Sequence, residues 1–267
     1  MFAELNGILN WSLDKFEKGQ CVLLSESKTD GSFLIHHFLS FFLKAQCKVC
    51  FLGLVQSFSH YSTVAQKLGI NMLQAREKGQ LVFFEGLRNS LDMLLPESDA
   101  SDAEPQPLSF LRWPSTDLRN LFDFVNSSLS QSENDMSRWA SPVLLIDDLS
   151  VLLSLGVNPT AVLDFIHYCR MAVCSKQQGN MVTLVHNEDD LGDEDCDLVL
   201  HALTHQSSLI LQVHGLNTGY CRDVHGQIQL RWKDKFQLKR DHTHVFQYKV
   251  HDKGVSFFAP GTSSAVL

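Results

Sequence analysis

The sequence predicts a three-layer α/β/α domain whose central sheet is mostly parallel, with antiparallel strands at its C-terminal end. Three observations lead there. Short apolar runs of strand length alternate with longer helical stretches across residues 21–185, the pattern of β–α units building a parallel sheet. Residues 143–146 (VLLI) are apolar throughout, as a strand buried on both faces requires. Beyond residue 206, the runs 208–213, 227–232, 245–250 and 255–258 mix polar and apolar positions between polar turns, which reads as an antiparallel extension. The 267 residues suit a single domain spanning 1–267, with a core that needs no staples.

Each element follows from its residues. Residues 21–24 (CVLL) form a buried strand that ends in the polar stretch from Ser25 to Asp30. Gly31 then opens a helix to Lys44, rich in Phe, Leu, Ile and His. Residues 48–55 are the second strand and 60–68 a helix stopped by Gly69; residues 81–84 are the third strand. An acidic, Pro-containing loop or insertion occupies about 96–110, with Pro96, Pro105 and Pro107. Ser115 or Thr116 caps an amphipathic helix with Leu118, Leu121, Phe122 and Val125 on one face. Asn158-Pro159 starts a helix to about Cys174, and 181–185 is another buried strand.

Charge is distributed unevenly. The formal net charge is −8, but residues 96–110 and 187–200 hold eleven of the 30 acids and no Lys or Arg. The remainder is mildly basic, so proximity to nucleic acid is not excluded. The composition does exclude a disordered chain, a collagen-like chain and a coiled-coil rod: 18 Phe supply ample apolar surface. The seven Cys are scattered in apolar runs, Glu4 interrupts an N-terminus without a basic region, and no apolar run spans a bilayer. A reduced, intracellular location away from membranes is the expectation: the cytoplasm, with the nucleus as a second compartment.

The strand–loop–helix at 21–44 has the plan of a phosphate-binding loop without its chemistry. Backbone N–H groups of such a loop cradle phosphates while a Lys reaches the β- and γ-phosphates and Ser/Thr binds Mg²⁺. With Gly31 as the second glycine of GxxxxGK[ST], Glu26 stands at the first glycine, Ser32 at the lysine and Phe33 at the Ser/Thr. A carboxylate faces the anion, while the cation and the metal hydroxyl are gone. Asp147-Asp148, closing the apolar strand at 143–146, have the form of the carboxylates that hold Mg²⁺ and polarise water in NTPases. Gly31, Ser32, Asp147 and Asp148 are therefore read as remnant positions, with no nucleotide, cofactor or metal expected and no catalytic residue.

Other motifs read as structural. Cys47-x-x-Cys50 lacks a second ligand pair for zinc and begins a strand rather than a helix. His201 and His205 are spaced i, i+4, but Ala202 stands where a metalloprotease has Glu. His242 and His244 share a strand face. No GxSxG elbow places a nucleophile.

Together, the 21–44 unit, the VLLIDD strand at 143–148, MVTLVHNEDD at 181–190 and the C-terminal strands resemble the RecA-like fold. Over nearly its whole length the chain is similar to the family of sixth Elongator subunits, in its animal form. That resemblance implies a non-catalytic subunit joining the fourth and fifth Elongator subunits in a hetero-hexameric ring. The ring would dock on the catalytic core and support tRNA binding for modification of wobble uridine (U34) at position 5. It also suits apolar residues such as Phe41, Phe42, Phe257 and Phe258 to covering subunit interfaces. Two other readings stay open. One is a divergent RecA-like ATPase using Asp147 or Asp148. The other is an RNA-binding module using the basic stretch 222–253, with Arg231, Lys233, Lys235, Lys239 and Arg240 as candidate contacts among interleaved aromatics. The acids of 187–200, read as a loop, would repel a phosphate backbone.

Overall fold

A computed structural model of the chain describes residues 2–86, 88–89, 107–108, 117–130, 138–186, 193–216, 219, 221–233 and 241–262. In chain order these build α1 (Ala3–Leu9), β1 (Cys21–Ser27), α2 (Ser32–Lys44), β2 (Lys48–Gly53), α3 (Phe58–Lys67), α4 (Met72–Glu77) and β3 (Leu81–Glu85). They continue with α5 (Arg119–Leu129), β4 (Pro142–Ile146), α6 (Ser150–Ser154), α7 (Pro159–Arg170) and β5 (Asn180–His186). The last elements are α8 (Glu194–Gln206), β6 (Leu209–His214), β7 (Gly226–Trp232), β8 (His242–His251) and β9 (Gly254–Phe258).

Among the described residues the strands form one nine-stranded sheet in the order β3-β2-β4-β5-β1-β6-β7-β8-β9. Pairings from β3 across to β6 are parallel, and those from β6 to β9 are antiparallel. Alternation along each strand divides the apolar residues between two cores. In β1, Val22 and Leu24 face one core and Cys21 and Leu23 the other; in β4, Val143 and Leu145 oppose Leu144 and Ile146. One face is covered by α1 and α2, the other by α5, α7 and α8. No helix of the described residues is long and apolar enough to cross a membrane.

Helix α2 is the keystone of the first core. Every residue from Phe33 to Leu43 is buried, so the helix must be covered on the side away from the sheet as well. The N-terminal segment supplies that cover. Trp11 lies 5.9 Å from the Phe38 ring, 5.5 Å from Phe41 and 6.1 Å from Phe42, and Phe16 meets Phe41 edge-on at 5.5 Å. The far end of the sheet holds the same segment: the Phe257 N–H donates to Glu4 at 2.7 Å. Phe41 and Phe42 are thus fully buried core residues, which corrects their expected place at a subunit interface; Phe257 and Phe258 are half-buried.

Several boundaries differ from expectation. β1 runs on through Glu26 to Ser27, because β5 and β6 pair with it along its whole length. β2 stops at Gly53, since the N–H groups of Leu54 and Val55 turn to Asp147 instead. α5 begins at Arg119, with Leu118 in the N-cap position and Asp117 accepting the Arg119 N–H at 2.7 Å; Ser115 and Thr116 lie outside the described residues. α7 ends at Arg170 and passes into a π-helical turn, Met171–Lys176. The acidic run expected as a loop becomes helix from Glu194. Asp193 caps it by accepting from Asp195 and Cys196, and Glu194, Asp195 and Asp197 sit in its first turn, where the helix dipole favours acids. Residues 187–192 and most of 96–110 lie outside the described residues.

Truncating the aromatic cover should cost most of a domain's stability. Trp11→Ala and Phe42→Ala are each expected to lower the unfolding free energy by about 3–5 kcal/mol. Urea denaturation followed by tryptophan fluorescence and circular dichroism checks this. Equal loss from Phe258→Ala would contradict the placement of the core.

Candidate functional site

Strands β4, β5 and β1 are neighbours in the sheet and run parallel, so their C-terminal ends meet at one edge. In open α/β sheets this edge is where ligands bind. Here it gathers Glu26 from β1, His186 from β5, and Asp147 and Asp148 from the turn after β4, opposite the start of α2.

The backbone donors at the start of α2 are met by the chain's own carboxylates. Gly31 donates its N–H to Glu26 Oε2 at 2.6 Å, and Ser32 donates its N–H to Asp30 Oδ1 at 2.7 Å. Those N–H groups are the orphan donors that make a helix N-terminus an anion seat. A Cβ at 31 would crowd this carboxylate, meeting Glu26 Oε2 at 3.0 Å. The other oxygen of Glu26 lies 3.0 Å from His186 Nδ1, with the two side chains 14% and 37% exposed. Burial pushes the Glu26 carboxyl above the usual carboxylate range, against the pull of the Gly31 N–H and His186.

Phe33, at the position of a metal-binding hydroxyl, is buried with its ring centroid 5.0 Å from that of Tyr248. The Tyr248 hydroxyl lies 3.2 Å from Thr29 Oγ1. Strand β8 therefore holds the loop from above through an aromatic contact and a hydrogen bond.

Asp147 is saturated in the same way. It is 4% exposed and accepts from Leu54 N–H at 2.7 Å, Val55 N–H at 3.1 Å and Tyr61 OH at 2.7 Å. Burial raises its carboxyl, opposed by those three donors, and it pushes the Tyr61 phenol upward. Asp148 accepts the Ser150 N–H at 2.9 Å, and burial raises its carboxyl too, with the Glu26 charge adding to the shift. Ser150 bonds the backbone of His186, not its ring, so the two do not form a nucleophile–base pair.

Gly31 and Ser32 thus meet the carboxylates of Glu26 and Asp30, whereas Asp147 belongs to a separate network with Tyr61. From sequence, neither His186 nor Tyr61 is placed at a site, and Tyr248 is only an aromatic of the basic 222–253 stretch. His186 is 160 residues from Glu26 and Tyr61 is 86 from Asp147, and no local spacing signals such pairings.

The other sequence candidates fall elsewhere. Arg231 and Lys233 lie at the end of β7, while Lys235, Lys239 and Arg240 lie outside the described residues. Lys233 donates to the Thr204 carbonyl at 2.6 Å, and burial lowers its ammonium pKa. Lys249 is paired with Asp223 at 2.8 Å. Cys47 and Cys50 face opposite cores, with burial pushing each thiol up to about 12. On opposite sides of a strand they cannot share an ion.

Comparison with known proteins follows the same line. The family model described as Elongation complex protein 6 matches residues 2–252. The chain is 55% identical to Elongator complex protein 6 of Homo sapiens and 56% identical to that of Danio rerio, each over 270 residues and 100% of both chains. The Dictyostelium discoideum protein of the same name is 25% identical over 313 residues, covering 91% of each. Among solved structures, an uncharacterised protein of Pyrococcus horikoshii in complex with an unknown peptide matches with a TM-score of 0.62. At 12% identity over 96% of both chains, that likeness shows the fold, which is RecA-like.

Two outcomes test the carboxylate networks. Asp147→Ala strands two backbone donors and the Tyr61 hydroxyl, and should destabilise by about 2–4 kcal/mol; Tyr61→Phe should cost about 1 kcal/mol. For Glu26 the folded carboxyl binds its proton more tightly than the unfolded one. Its contribution is therefore full below the unfolded value, roughly 4.3, and is lost as pH rises through the raised folded value. Glu26→Gln removes this slope, so its stability relative to the parent chain should rise with pH across that window. Urea midpoints measured between pH 4 and 8 check both; parallel pH curves for Glu26→Gln and the parent would contradict the second.

Proposed function

The chain belongs to the Elongation complex protein 6 family, and from that premise we propose that it is a single-domain, non-catalytic subunit of the Elongator complex. It acts with the fourth and fifth subunits in a hetero-hexameric accessory ring. The ring docks on the catalytic core and supports tRNA binding for modification of wobble uridine at position 5. The observation that carries the non-catalytic reading is the Glu26 carboxylate on the Gly31 N–H, where an NTPase would hold phosphate. A γ-phosphate brought to this seat would meet Glu26 and Asp30 with no loop lysine at Ser32, and Asp147 is buried and already accepts three hydrogen bonds.

Within that ring, RNA contact by this subunit rests on Arg231 and on Lys235, Lys239 and Arg240. Lys233 is better suited to fastening β7 to the end of α8. Free thiols at all seven cysteines, six of them buried, support work in a reducing compartment: the cytoplasm, with the nucleus as a second location.

Co-expression with the fourth and fifth subunits, followed by purification through this chain and native mass measurement, tests the proposal. The expected result is one assembly containing all three subunits. Recovery of this chain as a soluble monomer, with neither partner retained, would overturn it.

A further inference from the structure

Helix α8 carries two exposed histidines one turn apart whose ring nitrogens converge: His201 Nε2 and His205 Nε2 are 3.1 Å apart, with ring centroids at 4.6 Å. A first-row divalent ion with metal–nitrogen bonds of about 2.0–2.1 Å holds two neighbouring ligands roughly 2.8–3.4 Å apart, from right-angled to tetrahedral geometry. In the free chain the two nitrogens share a hydrogen bond, and their 3.1 Å separation falls within that span. The platform of the pair is rigid. Asp193 caps the start of α8, Cys196, Val199 and Leu203 bury the opposite face, and Lys233 and Ser207 bond the carbonyls of Thr204 and Leu203 at its end.

The electrostatics also favour a cation. His205 lies in the last turn, where the helix dipole is negative. Asp197, one turn before His201, lines a surface groove with Glu194 and His201, which adds negative charge beside the first histidine. Among the described residues no group of three or more His, Cys, Asp and Glu has metal-holding geometry.

We propose that His201 and His205 form a two-imidazole site for a borderline divalent ion of the zinc, nickel or copper(II) class, with water completing the coordination sphere. Both nitrogens must be unprotonated to bind, so affinity falls as the solution is acidified. The open positions face solvent, which distinguishes the site from a closed structural zinc.

The test uses the full chain carrying His242→Asn, which removes the other converging exposed pair (His242 and His244, 2.6 Å). Copper(II) added at one equivalent should give an electron paramagnetic resonance spectrum with two equatorial nitrogens, and zinc titration should show one site. Adding His201→Asn or His205→Asn should weaken zinc binding at least tenfold and leave one nitrogen in the copper spectrum. Thermal unfolding without metal should match across these exposed-site variants, which separates loss of ligand from loss of fold. Unchanged zinc affinity in either variant, or parent affinity no tighter than that of the single-histidine variants (an adventitious ion only), would overturn the proposal.

Discussion

The Glu26 carboxylate, held between the Gly31 N–H at 2.6 Å and His186 Nδ1 at 3.0 Å, ties together the three parts on which this fold turns. It joins the end of β1, the start of α2 and the end of β5. A helix N-terminus at the edge of a parallel sheet leaves backbone donors that need an anion. In a nucleotide-binding protein the ligand supplies it; here the side chains of Glu26 and Asp30 do. These bonds hold the start of α2, in which every residue from Phe33 to Leu43 is buried.

The same substitution of internal contacts for ligand contacts recurs around it. Phe33 gives up a metal-binding hydroxyl and gains an aromatic partner in Tyr248, which draws the antiparallel strands into the loop's support. Asp147 is the acceptor for three donors from the end of β2 and from α3. Buried carboxylates are costly unless their oxygens are hydrogen-bonded, and here each is. The carboxylates at this edge brace the fold.

The layers and nearly every strand were legible in the sequence, because strands buried on both faces are continuous apolar runs that chain-local pattern reports directly. The antiparallel turn of the sheet after residue 206 was legible for the complementary reason, its mixed alternation. What pattern missed was set by distant partners or by caps. β1 looked finished at Leu24 because Ser25 and Glu26 are polar, yet pairing with β5 and β6 carries it to Ser27. α8 looked like an acidic loop because its first-turn acids mask its start. Phe41 and Phe42 looked like surplus apolar surface, since nothing local shows that Trp11 and Phe16 fold back over them. The missing lysine and hydroxyl of the phosphate loop were plain from residue types. The pairing of Glu26 with His186 and of Asp147 with Tyr61 was not, because contact across 160 and 86 residues leaves no spacing to read.

The chain is a member of the Elongation complex protein 6 family with a RecA-like frame, and the proposed function takes its sheet edge, filled by internal contacts, as one that binds no nucleotide. The most direct measurement of that claim is a titration of the chain with Mg·ATP by calorimetry, beside Asp147→Ala as a control for the edge. The account predicts no binding heat up to millimolar nucleotide. Micromolar affinity in the parent chain, abolished by Asp147→Ala in a variant that remains folded, would contradict it.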